Sequence, residues 1–307
     1  MMSGTDLLAN NDLSPENKEK SYSTVLKTFD LESLSAEERL SKLLTIPAHE
    51  LVTKIPRSVA LGPILDEETN KINRSFKDIA TASPPYPAGK SIESIMIGDC
   101  AFDGTIMALR LGMRKAGIAS SFTSTMSKAL GSETSEKLFS VYNNLSSSTP
   151  DDQAFISVLR FVNDILWFAP TLVYAQGWSK SHPVYVYRFN EGNPWHSQWK
   201  GEANHILDVS FLFQNFNEYL SSEQQAGADA FAEVFLRYVA GEKPWKAWEA
   251  GSESTAMVFA DGKAEEKKDV PEEVGRRGGF VKVADEVGVD TLVKAYHAFL
   301  SQPPPSK

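Results

Sequence analysis

The sequence is poor in the residues that mark disulfide-bonded, zinc-binding and nucleic-acid-binding proteins. Cys100 is its single cysteine, which excludes an internal disulfide and any zinc site built on several cysteines. The 31 Lys and Arg residues are outnumbered by 40 Asp and Glu, and the net charge is −9, so we expect no nucleic-acid partner. No apolar run approaches the roughly 18 residues of a membrane-spanning helix, and we expect no membrane span.

The residues that are present are typical of a globular α/β protein. Hydrophobic residues make up 42% of the 307 positions and charged residues 23%. Apolar residues recur at helical spacing over 24–55 and 105–177. Short apolar or alternating runs at 59–65, 95–98 and 184–189 predict strands. Because the strands are separated by long helical segments, the sequence predicts an α/β fold.

Local signals set several boundaries. Residues 1–23 are polar and lack the apolar segment of a signal peptide, so we expect a disordered N-terminus followed by one domain over 24–307. Ser35 and Glu38 form a capping-box pattern at the start of a helix. The charged stretch over 263–277, with a basic patch at Arg276-Arg277, is predicted to be a loop.

A carboxylate follows the predicted strand at 95–98. In IMIGDCAFDGTI, residues 95–106, the apolar run stops at Gly98, and the loop beyond it contains Asp103 next to Gly104. In an open parallel sheet, ligands and catalytic groups collect at the carboxyl ends of the strands. Asp103 is therefore a candidate functional acid.

His205 is the one of five histidines whose position favours chemistry. It follows the strand at 184–189 through a loop and precedes an apolar segment. A histidine in such a loop can direct Nε2 at a nucleophile while a carboxylate holds Nδ1, so Asp103 and His205 are candidates for an acid–histidine pair. The residues alone also allow an ordinary turn acid and a structural histidine, which is the commoner outcome for isolated residues.

The segments around these two residues resemble the type-B carboxylesterase and cholinesterase-like family. GDCAFDG (98–104) is similar to that family's G-x-x-x-[DE]-[ED]-G turn, in which the acid before the last glycine belongs to the catalytic triad. ANHILDVSFLF (203–213) is similar to the H-x-x-[DE]-[LI]-x-[YF]-[VL]-F segment, which begins with the catalytic histidine. Further segments follow the family's order over about residues 24 to 262: ERLSKLLTIPAHELV, GPILDEE, FAPTLVYAQG, PVYVYRFNEGNP and KPWKAWEAGSESTAMVF. The resemblance implies that Asp103 and His205 are catalytic, with Asp where the family more often has Glu.

The family's nucleophile has no counterpart in the sequence. Its serine lies in a G-E-S-A-G elbow, whereas no G-x-S-x-G and no glycine-rich oxyanion-hole motif occurs here. The resemblance therefore implies the C-terminal portion of an α/β-hydrolase sheet with a helical cap, opening shortly after the elbow. The strands at 95–98 and 184–189 are expected to be the last two of the sheet. Cys100 lacks the elbow pattern, and we expect it to be a small buried residue.

By resemblance, the activity is hydrolysis of carboxylic esters. His205 is expected to act as general base and then general acid, while Asp103 holds its tautomer. Without a nucleophile we expect the chain to be inactive alone, so a small-molecule ester becomes its partner only when an N-terminal half completes the site. No cofactor or metal is expected. The alternative is a non-catalytic interaction module, as in cholinesterase-like adhesion proteins, and localisation stays open because many relatives are secreted.

Overall fold

The computed structural model describes residues 2–3, 15–56, 59, 75–82, 92–251, 254–269 and 275–303. The chain divides into two compact units. One is Leu7–Arg74, and the other combines Met1–Asp6 with Ser75–Lys307. The second unit contains both residues predicted to be functional.

The described part of the smaller unit is helical, as predicted for 24–55. Its helices are α1 (Pro15–Thr28), α2 (Ala36–Thr45) and α3 (Ala48–Lys54). The predicted capping box is present at α2, where Ser35 and Glu38 satisfy each other's backbone N–H groups. Helix α1 begins inside the segment predicted to be disordered, so residue 23 is not an element boundary. Apart from Val59, the predicted strand at 59–65 lies outside the described residues.

The larger unit is organised on a mixed sheet that has five strands among the described residues. In chain order and in spatial order these are β1 (Met2–Ser3), β2 (Ile95–Cys100), β3 (Val184–Phe189), β4 (Thr255–Ala260) and β5 (Lys263–Lys268). The first four are parallel, and β5 is antiparallel to β4. Every residue of β2 and β3 is buried, as expected for parallel strands covered on both faces.

Strand β2 does not stop at Gly98, where the apolar run ends, but continues to Cys100. Gly98 has a packing role instead of a turning role. A Cβ atom built there would lie 2.4 Å from ring carbons of Tyr187 on β3. The glycine is needed because the aromatic ring of the neighbouring strand covers its backbone.

The sheet extends beyond β3, so the prediction that 95–98 and 184–189 are its last two strands is wrong. Strand β4 pairs with β3, and a two-residue turn leads to β5. Asp261 and Gly262 in this turn have φ values of 51° and 72°, which is typical of a type I′ hairpin. Strand β5, KAEEKK, was expected to be loop because it lacks apolar alternation. It lies at the sheet edge, where charged side chains remain in solvent.

Helices connect the strands, as the sequence predicts for an α/β fold. They are α4 (Phe76–Thr81), α5 (Ala108–Leu111), α6 (Ile118–Leu130), α7 (Ser132–Val141), α8 (Asp151–Asn163), α9 (Ala169–Trp178), α10 (Leu207–Leu212), α11 (Ser222–Val239), α12 (Gly275–Val287) and α13 (Val289–Ser301). In the part of the chain that the structure describes, 3₁₀ turns cover Asp103–Met107, Gly112–Arg114 and Asn217–Tyr219. Of the predicted loop over 263–277, residues 263–268 form β5 and residues 275–277 begin α12, while 270–274 lie outside the described residues.

A single long helix passes through the core beside the sheet. Helices α8 and α9 are joined by a π-helical turn, Asp164–Phe168, and together they run over Asp151–Trp178. This helix is long and apolar enough to cross a membrane by length and composition, but 83% of its most apolar window is buried inside the protein. Such burial is typical of the core helix of a globular fold, and the absence of a membrane span stays a prediction.

Candidate active site

The acid and the histidine lie on two loops that leave neighbouring strands at the same edge of the sheet. Asp103 opens the 3₁₀ turn that follows β2, and His205 lies in the loop between β3 and α10. The two loops are joined by a parallel bridge between Phe102 and Asn204. The Phe102 N–H also donates to the Ala203 carbonyl at 2.9 Å. Asp103 and His205 therefore each directly follow a backbone position that is tied to the other loop.

The structure brings Asp103 and His205 into hydrogen-bond contact. His205 Nδ1 lies 2.9 Å from Asp103 Oδ1. The other carboxylate oxygen, Oδ2, accepts a hydrogen bond of 2.8 Å from the Cys100 backbone N–H. The side chain of Asp103 is 5% exposed and that of His205 is 29% exposed. The acid is thus enclosed, whereas part of the imidazole reaches the surface.

Burial makes the ionised form of Asp103 costly. It raises the pKa of Asp103 from the ordinary value of 3.8 to about 6, and the nearby carboxylates of Asp99 and Asp208 add to the rise. The hydrogen bond to His205 acts in the opposite direction and favours the ionised form. At neutral pH the group is consequently a carboxylate that depends on His205 for compensation.

The imidazole is held from several sides. The backbone N–H of His205 donates to the hydroxyl of Thr105 at 3.2 Å. The Trp167 ring meets the imidazole edge-on, with 5.5 Å between ring centroids. Among the described residues, no side chain forms a hydrogen bond with Nε2, so this nitrogen is available to a further group. Ile206 follows in the left-handed region at φ 61°, an uncommon conformation for a β-branched residue, and it turns the chain into α10.

A buried ionic cluster lies behind the acid loop. Asp99 on β2 accepts from Arg188 at 2.6 Å and from Arg277 at 2.5 Å, and Arg188 also pairs with Asp269 at 2.8 Å. Arg276 and Arg277, predicted to be part of a charged loop, lie on α12, and Arg276 pairs with Asp164. These arginines compensate the buried charge of Asp99, whose carboxylate otherwise would oppose ionisation of Asp103 more strongly.

The thiol of Cys100 does not offer a second nucleophile, and two of the other histidines are exposed. Cys100 is 1% exposed, and burial raises the pKa of its thiol well above its ordinary value, which disfavours a nucleophilic thiolate. His49 and His196 are exposed. Within the described ranges, no group of three or more His, Cys, Asp or Glu side chains is arranged to hold a metal ion.

Several supporting residues were not predicted. Thr105 receives the His205 N–H, and Asn163 on α8 accepts the backbone N–H of Gly104 at 3.1 Å. Thr105 and His205 are 100 positions apart in the chain, and Gly104 and Asn163 are 59 positions apart. The local sequence contains no signal for contacts between residues so far apart. It shows only that Thr105 lies two residues after Asp103, in the sequence DGT.

A parallel sheet that carries an acid and a histidine on adjacent strand ends defines an α/β-hydrolase-like architecture. A model of the carboxylesterase family matches residues 1–270. The chain therefore belongs to the carboxylesterase family. No curated protein matches the chain.

Solved structures of esterases share this fold. Two structures of "PNB esterase" match with TM-scores of 0.54 and 0.57, each at 18% sequence identity, and cover 83% and 86% of this chain. The carboxylesterase EST55 of Geobacillus stearothermophilus matches with a TM-score of 0.59 and 18% identity over 86% of this chain. These matches cover 52%, 54% and 55% of the other chains, so this chain spans about half the length of the structures it resembles.

Proposed function

We propose that this chain supplies the acid–histidine part of a serine carboxylic ester hydrolase. The observation that carries the proposal is the contact of 2.9 Å between His205 Nδ1 and Asp103 Oδ1 at the carboxyl ends of β2 and β3. Family membership and the esterase neighbours support the same chemistry. The imidazole is partly exposed while the acid beside it is buried, which suits a group that serves an incoming nucleophile.

The proposed roles follow from the geometry of the pair. Asp103 accepts a hydrogen bond from Nδ1–H, which leaves the Nε2 lone pair free to remove a proton from a serine hydroxyl. When Nε2 is protonated, the carboxylate stabilises the imidazolium next to it. The same Nε2 proton then passes to the leaving alcohol, and water repeats the cycle on the acyl-enzyme. Asp103 must be ionised for this, so activity is expected to fall as the pH falls through about 6.

In this proposal the chain supplies the acid and the histidine but not the nucleophile. No G-x-S-x-G occurs in the 307 residues, so the attacking serine and the oxyanion donors come from a separate segment in this proposal. An acid–histidine pair without a nucleophile retains only a small part of the catalysis. The chain by itself is accordingly proposed to be inactive.

Two measurements test the proposal. The purified chain is treated with a fluorophosphonate probe and with an aryl ester, and neither labelling nor turnover above background is expected. The transcript upstream of Met1 is then sequenced and the longest reading frame expressed. An in-frame G-x-S-x-G and labelling that is lost in His205→Gln support the proposal. Labelling of a serine within the present chain would refute it.

The second candidate function is a non-catalytic interaction module. It is favoured by large apolar side chains that remain exposed on the helical segment after the acid, namely Leu109 (82%) and Met113 (80%). Replacement of Leu109 and Met113 by Ser would abolish partner binding under this alternative and leave the Asp103–His205 contact intact. If His205→Ala retains partner binding, the binding does not depend on the acid–histidine pair, which distinguishes this alternative from the catalytic proposal.

A further inference from the structure

Arg160 on α8 contacts both loops of the acid–histidine pair. Its guanidinium lies over the ring of Phe102, with 3.5 Å from the guanidinium carbon to the ring centroid. Phe102 immediately precedes the acid. One terminal nitrogen of Arg160 donates to the two carboxylate oxygens of Glu202, at 2.8 and 2.7 Å. Glu202 lies three residues before His205, so one side chain holds a residue of each loop.

Further contacts fix the guanidinium itself. Its other terminal nitrogen reaches the carbonyl of Ala101 at 3.4 Å, on the acid loop. The backbone carbonyl of Arg160 accepts from Arg276 at 3.3 Å, which ties this turn of α8 to α12. The side chain of Arg160 is 23% exposed and that of Glu202 is 38% exposed, so the pair is partly shielded from water. Arginine can stack its planar guanidinium on a ring and bind a carboxylate at the same time, whereas the compact ammonium group of lysine cannot do both in this way.

The position of His205 depends on the contacts between the two loops. The Phe102–Asn204 bridge links the two backbones, next to the ring on which Arg160 stacks. The backbone N–H of His205 also donates to the side-chain hydroxyl of Thr105 on the acid loop. A separation of the loops by even 1 Å would lengthen the Nδ1–Oδ1 contact beyond the range of a strong hydrogen bond. No other side chain among the described residues bonds to both Glu202 and the acid loop.

We infer that Arg160 and Glu202 form a clamp that positions the imidazole of His205 against Asp103. Arg160 is a positioning residue in this inference and touches no reacting atom. Its significance for catalysis rests on the proposed function, whereas the clamp itself is a statement about the geometry of the pair.

The test measures the hydrogen bond between Asp103 and His205 directly. The full chain is labelled with ¹⁵N-histidine, and the Nδ1 proton of His205 is assigned among the five histidines with His205→Gln. Exchange of this proton with water is followed in Arg160→Met, Arg160→Lys and Glu202→Ala. The control is Glu242→Gln, which removes the exposed Arg237–Glu242 ion pair of 2.8 Å elsewhere in the same unit.

In Arg160→Met and Glu202→Ala, the Nδ1 proton is expected to exchange about tenfold faster or more, the equivalent of about 1.4 kcal/mol. The double variant should equal the larger single effect, because both residues act in one clamp. Arg160→Lys should restore only part of the protection, and it serves as the test variant if Arg160→Met does not fold. Glu242→Gln should exchange at the wild-type rate.

A lowered melting temperature with unchanged exchange of the Nδ1 proton would overturn the inference, because it would show a merely structural role. Failure of the proposed function is a separate result. If the longer gene product shows no esterase activity but exchange changes as stated, the clamp stands and the proposed function fails. If that product is an active esterase and exchange in Arg160→Met is unchanged, only the clamp fails.

Discussion

Replacement of Asp103 by Asn tests whether the buried acid destabilises the fold at neutral pH. The pKa of Asp103 rises from 3.8 to about 6 on folding, with burial as the main cause. The folded state thus binds the proton more tightly than the unfolded state, and the contribution of Asp103 to stability falls as the pH rises from about 4 through 6. One pKa unit corresponds to about 1.4 kcal/mol, so the whole change amounts to about 3 kcal/mol. Of this, about 2 kcal/mol falls between pH 4.5 and 7.

Asn keeps the shape of the side chain and an oxygen for the Cys100 N–H, but it does not ionise. The free energy of unfolding of the wild type minus that of Asp103→Asn is therefore expected to decrease by about 2 kcal/mol from pH 4.5 to pH 7. At pH 7 the variant should be close to the wild type in stability, or above it, although it would lack the tautomer that catalysis needs.

Urea unfolding followed by tryptophan fluorescence measures this difference. All six tryptophans lie at or beyond position 167, in the unit that contains the site, so the signal reports on that unit. Asp229→Asn, which removes a carboxylate from the exposed face of α11, serves as the matched control. A wild-type-minus-variant difference that stays flat between pH 4.5 and 7 would refute the reasoning from burial.

Three further outcomes are expected. Gly98→Ala should destabilise the larger unit by about 1–3 kcal/mol in the same unfolding assay, because its Cβ would overlap the Tyr187 ring. Arg188→Met should cost about 3–5 kcal/mol, since it leaves Asp99 and Asp269 with weaker compensation in the interior; loss below about 1 kcal/mol would contradict this. In a longer gene product that hydrolyses esters, kcat/KM plotted against pH should fall on the acid side near pH 6, and a profile flat down to pH 4.5 would exclude Asp103 as the acid.

Local sequence was sufficient for the two central strands, whereas the pairing of Asp103 with His205 was predicted only with the help of the family resemblance. Strands β2 and β3 are buried on both faces and appear as short apolar or aromatic runs, and the acid and the histidine follow them at short distance. Helix boundaries with side-chain caps, such as Ser35 at α2, were equally accessible because the capping box is contained in four residues.

The parts that could not be predicted depend on partners that are distant in the sequence. Strand β5 is charged throughout, and its strand conformation comes from pairing with β4 and from the tight turn at Asp261-Gly262. Gly98 resembled a strand end because its packing against Tyr187 is visible only across the sheet. The arginines of α12 were predicted to lie in a charged loop, yet Arg277 binds the buried Asp99.

The acid–histidine pair is formed by residues of this chain alone. Each described contact that fixes it comes from the larger unit: Cys100 on one carboxylate oxygen, Thr105 on the histidine backbone, and Arg160 between the loops. A nucleophile that approached Nε2 would therefore meet a base whose tautomer and orientation are already set. The energetic cost of such preorganisation is the burial of Asp103, which the pH dependence of stability measures.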